Sequence, residues 1–167
     1  GTYKVVEKTA PEGFVLNEEA QTVTFSYKDQ KTPVIEQTAA FENDRQKVEV
    51  SVVKQDAENE TVVAGAEFGL YAKEDILAHG EVAVKADTLL GKAVSNEDGK
   101  AVFELDLPFG SYYIKELAAP AGYVSSFETL EVTAKYQGQD VKVVKLESIF
   151  KNQPTKVTFK KSDITTG

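Results

Sequence analysis

Three polar side chains stand at positions where apolar strand faces would otherwise continue. Side chains of an extended strand alternate between two faces. By this alternation Lys54 ends a face of three valines, Glu116 ends a face of tyrosine and isoleucine, and Asn152 ends a face that includes a phenylalanine. Burial of an ionised side chain is costly unless the charge is paired or neutralised. All three residues are therefore candidates for chemistry in a dry core.

A lysine, a glutamate and a carboxamide in such a core can form a covalent bond. Desolvation lowers the pKa of a lysine and raises that of a glutamate, so both groups can be neutral together. A neutral amine is a nucleophile, and an asparagine Cγ becomes an electrophile when a protonated acid polarises its oxygen. The same acid can move protons as the tetrahedral intermediate collapses. We predict an amide between Lys54 Nζ and Asn152 Cγ, formed once with release of ammonia and assisted by Glu116.

An internal repeat reproduces the glutamate and the asparagine. The stretch GTYKVVEKTAPEGF at Gly1–Phe14 matches GSYYIKELAAPAGY at Gly110–Tyr123 position for position. Glu7 thereby takes the place of Glu116. Asn43 follows Glu7 by 36 residues, the same interval that separates the later glutamate and asparagine. Two copies of one unit are predicted.

The lysine strand recurs in the opposite direction along the chain. TKVTFKKSD at Thr155–Asp163 resembles VEVSVVKQD at Val48–Asp56 and aligns Lys161 with Lys54. Only the middle of the chain holds a lysine, a glutamate and an asparagine strand in that order. The simplest interpretation is a fragment cut across two domain boundaries. Its predicted segments are residues 1–44 as the C-terminal portion of a first unit, residues 45–154 as a complete unit, and residues 155–167 as the opening strand of a further unit.

The elements that must position these side chains are β-strands by pattern. Short runs of alternating apolar residues are separated by glycine, proline and asparagine-rich segments. NEDGK at Asn96–Lys100 predicts a hairpin turn with Gly99 at positive φ. KEDILAHGEV at Lys73–Val82 is expected to form one short helical turn. Together the short strands predict an all-β fold, an antiparallel β-sandwich or partly open barrel.

Composition excludes several classes of function. The 167 residues are 41% hydrophobic and 28% charged, as in ordinary globular proteins. The absence of cysteine excludes disulfides and thiolate metal sites, and a single histidine, His79, leaves no catalytic triad or His-rich metal centre. A net charge of -8 with interspersed basic residues argues against a nucleic-acid partner. No apolar run approaches the length of a membrane span, so no membrane contact is expected in this fragment.

Five motifs in order carry a resemblance to a known family. They are VVKQD at Val52–Asp56, VAGAEFGLY at Val63–Tyr71, the NEDGK turn, FGSYYIKELAAPAGY at Phe109–Tyr123 and FKNQP at Phe150–Pro154. With them the chain resembles tandem collagen-adhesin B-type and SpaA-type prealbumin-like domains of Gram-positive surface proteins and pilins. The resemblance implies a β-sandwich of inverse immunoglobulin-like topology. It also implies stalk domains of extracellular, sortase-anchored cell-wall proteins, with the anchoring signal outside this fragment.

The same resemblance implies an autocatalytic isopeptide bond. Carried onto this sequence, it makes Lys54 the nucleophile, Asn152 the acceptor and Glu116 the catalytic carboxyl. Asp56 and Lys115, polar neighbours of these motifs, are expected to be solvated. The alternative is an ordinary buried salt bridge between Lys54 and Glu116, with Asn152 hydrogen-bonded to it and no covalent bond.

The leading functional interpretation is structural, a stalk or pilin domain that needs no cofactor and no metal. It is not an enzyme with an external substrate, because every reactive group is consumed or buried. Its partners are then neighbouring domains of the same surface protein or pilus. The alternative is an adhesin module that binds a host extracellular-matrix protein or a glycan, for which Phe109, Tyr113 and Tyr136 are scattered candidates.

The incomplete ends suggest a contact between molecules. Glu7 and Asn43 have no lysine before them, and Lys161 has no acid or amide after it. Unpaired sheet edges accept additional strands. Head-to-tail strand exchange, with an amide between Lys161 and Asn43, is therefore a hypothesis; the alternative is that Lys161 belongs to a disordered tail.

Overall fold

The computed structural model describes residues 1–162, which form eleven β-strands. No helix in this part of the chain is long and apolar enough to cross a membrane. The all-β prediction is confirmed. The strands are β1 (Thr2–Val5), β2 (Gln21–Thr24), β3 (Lys47–Asp56), β4 (Glu67–Ala72), β5 (Ile76–Ala78), β6 (Glu81–Val84), β7 (Leu89–Val94), β8 (Lys100–Phe103), β9 (Gly110–Ala118), β10 (Thr129–Ala134) and β11 (Val143–Asn152).

Most of these strands belong to two sheets, with the orders β10-β9-β4-β7 and β11-β3-β8. β4 pairs antiparallel with β7 and β9, and β3 pairs antiparallel with β8. β3 and β11 run in the same direction, because Lys47 N donates to Lys142 O at one end and Ala57 N donates to Asn152 O at the other. The prediction of a β-sandwich is confirmed.

The chain divides into two compact units. The first comprises Gly1–Glu49, Asp106–Phe109 and Ala134–Lys145, and the second comprises Val50–Leu105, Gly110–Thr133 and the residues from Leu146 onward. The predicted segment boundaries at residues 44/45 and 154/155 stay predictions.

Each unit has its own buried centre. In the first, the fully buried Gln46 donates its side-chain amide to the carbonyls of Gly138 and Val141 and accepts from Gln137 N. In the second, apolar side chains of both sheets form the core, and Phe68 meets Phe150 edge to face with ring centroids 5.3 Å apart. The most deeply buried members of this core are Val50, Val52, Phe68, Leu70, Ala72, Ala101, Phe103, Tyr112, Ile114 and Phe150.

The NEDGK segment forms the predicted turn in a different setting. Asn96 Oδ1 accepts from the backbone N–H groups of Asp98 and Lys100, and Gly99 has φ +72°. β7 and β8 on either side of this turn lie in different sheets. The prediction of a hairpin is therefore wrong, since the turn carries the chain between sheets instead of closing a two-stranded ladder.

The segment Lys73–Val82 does not form the predicted helical turn. β5 and β6 pair antiparallel within it, and His79 and Gly80 between them both have positive φ. Two successive residues at positive φ are the requirement of a type I′ hairpin loop, whose twist matches that of the flanking strands. The sequence signal overlooked here is the alternation of Ile76, Val82 and Val84 around that loop.

Candidate functional site

Lys54 lies at the end of the apolar face that the sequence predicted. Val48, Val50 and Val52 precede it on β3, and all four side chains are buried, with Lys54 itself 0% exposed. Its Nζ donates to the carbonyl of Gln55 at 2.9 Å. Burial lowers the pKa of Lys54, while the charges of Glu116 and Asp56 oppose that shift. A lysine in this environment loses its proton more readily than one in water.

Gly99 fixes the backbone of the lysine. Lys54 N donates to Gly99 O at 2.7 Å, and Lys54 O accepts from Val63 N at 3.0 Å. A Cβ at residue 99 would lie 2.8 Å from Lys54 O and 2.7 Å from Val62 Cβ. Both this close approach and the positive φ require glycine. The NEDGK turn therefore contributes to the position of Lys54.

Glu116 and Asn152 are joined by a direct hydrogen bond. Asn152 Nδ2 donates to Glu116 Oε2 at 2.8 Å and to Val124 O at 2.6 Å. Glu116 Oε2 also accepts from Ser126 N at 3.0 Å. The two remaining oxygens, Glu116 Oε1 and Asn152 Oδ1, are buried and have no hydrogen-bond partner. Buried acceptors are normally paired, so one missing proton donor at this site stands out.

A register shift in β9 lies beside Glu116. β4 pairs Phe68 with Glu116 and Glu67 with Ala118, which leaves Leu117 without a residue opposite. Such bulges re-aim side chains and are frequent next to functional sites. Here Glu116 is half-buried at the end of the face that Tyr112 begins.

Asp56 is buried, so its prediction as a solvated residue is wrong. It is 5% exposed and accepts from the backbone N–H of Glu58 at 2.7 Å and from Tyr123 Oη at 3.0 Å. The backbone hydrogen bond from Glu58 is the largest of the contacts that lower the pKa of Asp56. The turn after β3 folds back over the strand end, as shown by the bond from Asp56 N to Thr61 O.

Tyr123 covers the lysine. Lys54 Nζ lies 5.1 Å from the centroid of the Tyr123 ring, a cation–π distance, and the hydroxyl of that ring is held by Asp56. Sequence reasoning missed both residues of this clamp. The only available signal was the position of Tyr123 in the repeated segment, since its contact with Asp56 spans 67 residues. Lys115, in contrast, is exposed as predicted.

The first copy of the repeat reproduces the glutamate–asparagine geometry. Asn43 Nδ2 donates to Glu7 Oε2 at 2.6 Å and to Val15 O at 2.9 Å. Glu7 Oε2 also accepts from Asn17 N at 2.9 Å. These three bonds have the same sequence separations, 36, 28 and 10 residues, as the bonds around Asn152 and Glu116.

The surrounding backbone is reproduced as well. Gly13 and Gly122 have φ of +90° and +87°, and four pairs of matching backbone contacts flank the two asparagines. The pairs are Phe14 N to Pro11 O with Tyr123 N to Pro120 O, Val15 N to Asp44 O with Val124 N to Gln153 O, Gln46 N to Gly13 O with Thr155 N to Gly122 O, and the bridge Phe14–Arg45 with Tyr123–Pro154.

The other predicted residues are placed as follows. Residues 155–162 form no strand, and Lys161 is exposed; Asp163 of the predicted strand lies outside the described residues. Tyr113 stacks on Tyr71 at 5.1 Å, and Phe109 packs edge to face on Tyr136 at 6.3 Å. Within residues 1–162 no group of three or more histidine, aspartate or glutamate side chains is arranged to hold a metal ion.

Comparison with known proteins gives one family match and several similar structures. A family model described as SpaA, a prealbumin-like fold domain, matches residues 48–148. A comparison with curated protein sequences gives no match.

Among solved structures, the TIE protein of Bacillus anthracis is 28% identical, with a TM-score of 0.59 over 92% of this chain and 25% of that protein. This chain thus spans about a quarter of the length of that relative. The pilus 2b backbone protein of group B streptococcus is 16% identical, with a TM-score of 0.50 over 89% of this chain and 52% of its own. The major pilin SpaD of Corynebacterium diphtheriae is 20% identical, with a TM-score of 0.50 over 72% of this chain and 33% of its own. The last two similarities concern the fold alone.

Proposed function

The chain belongs to the SpaA family of prealbumin-like domains, and we propose that it is a structural stalk domain of a Gram-positive surface protein or pilus, fastened internally by an amide between Lys54 and Asn152. Its role is mechanical and chemical endurance, and the bond forms once. The surrounding protein is extracellular and anchored to the cell wall, and its neighbouring domains are the partners of this chain. The first unit supplies the start of such a tandem array.

The observation that carries the proposal is the unsatisfied pair of oxygens at the Glu116–Asn152 hydrogen bond. A single proton on Glu116 would supply the donor that Glu116 Oε1 and Asn152 Oδ1 lack. A protonated acid beside the amide is the arrangement that polarises Cγ for attack. The nucleophile is present in the same core, since burial lowers the pKa of Lys54.

The reaction balances without any external reagent. Lys54 Nζ attacks Asn152 Cγ, and charge that develops on Oδ1 is stabilised by the proton of Glu116. A proton from Nζ passes through the carboxyl group to Nδ2, and the C–Nδ2 bond breaks. Glu116 Oε2 already lies 2.8 Å from Nδ2, so the carboxyl contacts the group that leaves as ammonia. The products are a secondary amide and one ammonia.

The released ammonia has a route to solvent. A groove lined by Val124, Ser126, Phe127 and Lys151 lies directly beside Asn152. Phe127 at its rim is almost fully exposed. Ammonia that leaves by this groove does not return at useful concentration, which makes the step irreversible.

The hydrogen bonds do not favour the alternative of an ordinary buried salt bridge. Glu116 directs its bonded oxygen to Asn152 and Ser126, and Lys54 Nζ bonds a backbone carbonyl instead of the carboxylate. A buried ion pair needs close geometry to offset the loss of hydration. The covalent interpretation uses the same contacts without that cost, because the amide carries no charge.

The test is the intact mass of the purified chain. The wild type is expected to be lighter than its sequence by one ammonia, and Glu116→Ala is expected to have the full mass. Lys115→Ala, which alters the next residue on the opposite strand face, serves as a control that keeps the loss. A wild-type mass equal to that of the sequence would exclude the bond.

Binding of a matrix protein or a glycan is not favoured by the aromatic residues considered for it. Tyr113 is stacked on Tyr71 and donates its hydroxyl to Asp87, and burial with that bond raises the pKa of Tyr113 to about 12. Phe109 is likewise engaged by Tyr136. These rings pack on each other, so they present no shared open face to a ligand.

A further inference from the structure

We propose that residues 1–44 form an acceptor for the C-terminal segment of a second copy of this chain, whose Lys161 then forms an amide with Asn43. The inference rests on the proposed function, because it gives Asn43 and Glu7 the chemistry assigned to Asn152 and Glu116. It adds a reaction partner, a site on each molecule and a mode of assembly.

The acceptor chemistry is already arranged in the first copy of the repeat. Asn43 Nδ2 contacts Glu7 Oε2 and Val15 O, and the same carboxyl oxygen accepts from Asn17 N. These are the contacts that hold the acceptor of the complete unit. The first copy therefore lacks one reactive group, the lysine.

The first copy also exposes the apolar face that a lysine strand would cover. Tyr3 and Val5 are 59% and 37% exposed, whereas their counterparts Tyr112 and Ile114 are fully buried. β1 pairs with β2, and its other edge is unpaired in the two-stranded sheet. Exposed apolar residues beside an open strand edge are a binding surface for an added strand.

Residues 34–43 show which strand is missing. They are the repeat counterpart of β11, yet they form no strand, whereas β11 is ten residues long. β11 lies at a sheet edge, and its single neighbour is β3, the lysine strand. Without a lysine strand, the counterpart segment has no ladder to join. A strand added there would restore the pair.

The C-terminal segment has the sequence and exposure of such a strand. Val157 and Phe159 are 76% and 95% exposed, and they align with Val50 and Val52, which are fully buried in the complete unit. In the same register Lys161 aligns with Lys54. The segment therefore carries the two apolar side chains and the amine that the first copy of the repeat lacks.

Docking of the segment beside residues 34–43 brings Lys161 Nζ to Asn43. Nζ attacks Cγ, Glu7 transfers the proton to Nδ2, and ammonia leaves, so that one C–N bond forms and one breaks. Each end of the joined pair still carries one unreacted acceptor or one unreacted lysine segment. The contact is heterologous and does not close, so the expected products are linear chains.

The experiment follows the full chain at rising concentration by denaturing electrophoresis and intact mass. The expected result is a ladder of species that resist denaturation. The dimer is expected to have lost one ammonia more than its two chains lose separately. Lys161→Arg and Asn43→Ala are each expected to abolish the ladder, and Lys160→Arg, the matched control on the opposite strand face, is expected to keep it.

A variant of the complete unit separates this inference from the proposed function. Lys54→Met removes the internal bond and is expected to leave the ladder intact, because it does not alter either end. Monomers alone at every concentration would overturn the inference, as would a ladder that persists in Lys161→Arg. A monomer that has lost two ammonia molecules would also overturn it, since the lysine would then have reacted within its own chain.

Discussion

Replacing both Lys54 and Glu116 by uncharged residues distinguishes a covalent cross-link from a buried salt bridge by the sign of the stability change. The double variant Lys54→Met/Glu116→Gln keeps the volume of both side chains. The carboxamide oxygen introduced at position 116 can still accept from Asn152 Nδ2 and Ser126 N, which now bond Glu116 Oε2. The variant therefore removes the nucleophile and the acid without opening a cavity.

The magnitude follows from the loop that the bond closes. A link between residues 54 and 152 closes a loop of about 100 residues, for which chain entropy gives a stabilisation of about 4.7 kcal/mol. For a domain of about 100 residues, 1 kcal/mol corresponds to at least about 4 °C in Tm. The double variant is expected to unfold about 20 °C below the wild type. If the wild type held only a salt bridge, replacement by uncharged groups would be neutral or stabilising by about 1–4 kcal/mol.

The assay combines thermal unfolding, followed by circular dichroism, with intact mass on the same samples. The control is Lys115→Met, which removes an exposed lysine and is expected to change neither the mass loss nor Tm beyond about 2 °C. A double variant with Tm equal to or above that of the wild type, together with a wild-type mass that shows no ammonia loss, would refute the cross-link.

Three further changes probe the surroundings of the lysine. Tyr123→Ala is expected to slow bond formation because it uncovers Lys54, whereas Tyr123→Phe keeps the ring, loses the bond to Asp56 and is expected to cost about 1 kcal/mol in denaturant unfolding. In Glu116→Gln, the bond is expected to form roughly 10²–10⁴ times more slowly. Its rate, followed by mass, is expected to rise with pH and to level off below 10.5, because burial lowers the pKa of Lys54 and only the neutral amine attacks. A rate that falls as pH rises would contradict this. Gly99→Ala is expected to destabilise the fold, since its Cβ would lie 2.8 Å from Lys54 O; an unchanged Tm would contradict the role given to this glycine.

Strand alternation was sufficient to predict the faces that carry the site. Lys54 and Asn152 are buried at the ends of apolar faces, as a period of two residues requires. The same rule could not place Asp56, because it treats a residue beyond a strand end as solvated. The fate of Asp56 depends on a turn that folds back and on a tyrosine 67 residues away. Contacts between distant segments leave no local periodicity.

Turn prediction had a similar range. The glycine of NEDGK was correctly assigned a positive φ, because that requirement is local. Whether the flanking strands share a sheet depends on the rest of the fold, and β7 and β8 do not. His79 and Gly80 form a hairpin loop from residues that are not among the usual loop pairs, so the weak helical signal around them was misleading.

The two copies of the repeat separate what the local sequence determines from what the lysine strand adds. The glutamate–asparagine hydrogen bonds form in both copies, so they need no lysine strand and belong to the loop that links the two residues. Burial differs, because Asn43 is half-buried while Asn152 is 2% exposed. Water competes for hydrogen bonds and screens charge, so exclusion of water determines whether an acid and an amine become neutral and react. The lysine strand thus supplies both the nucleophile and the dry environment that makes the nucleophile reactive. An acceptor without its strand is expected to stay inert until a strand covers it, which ties reaction to assembly.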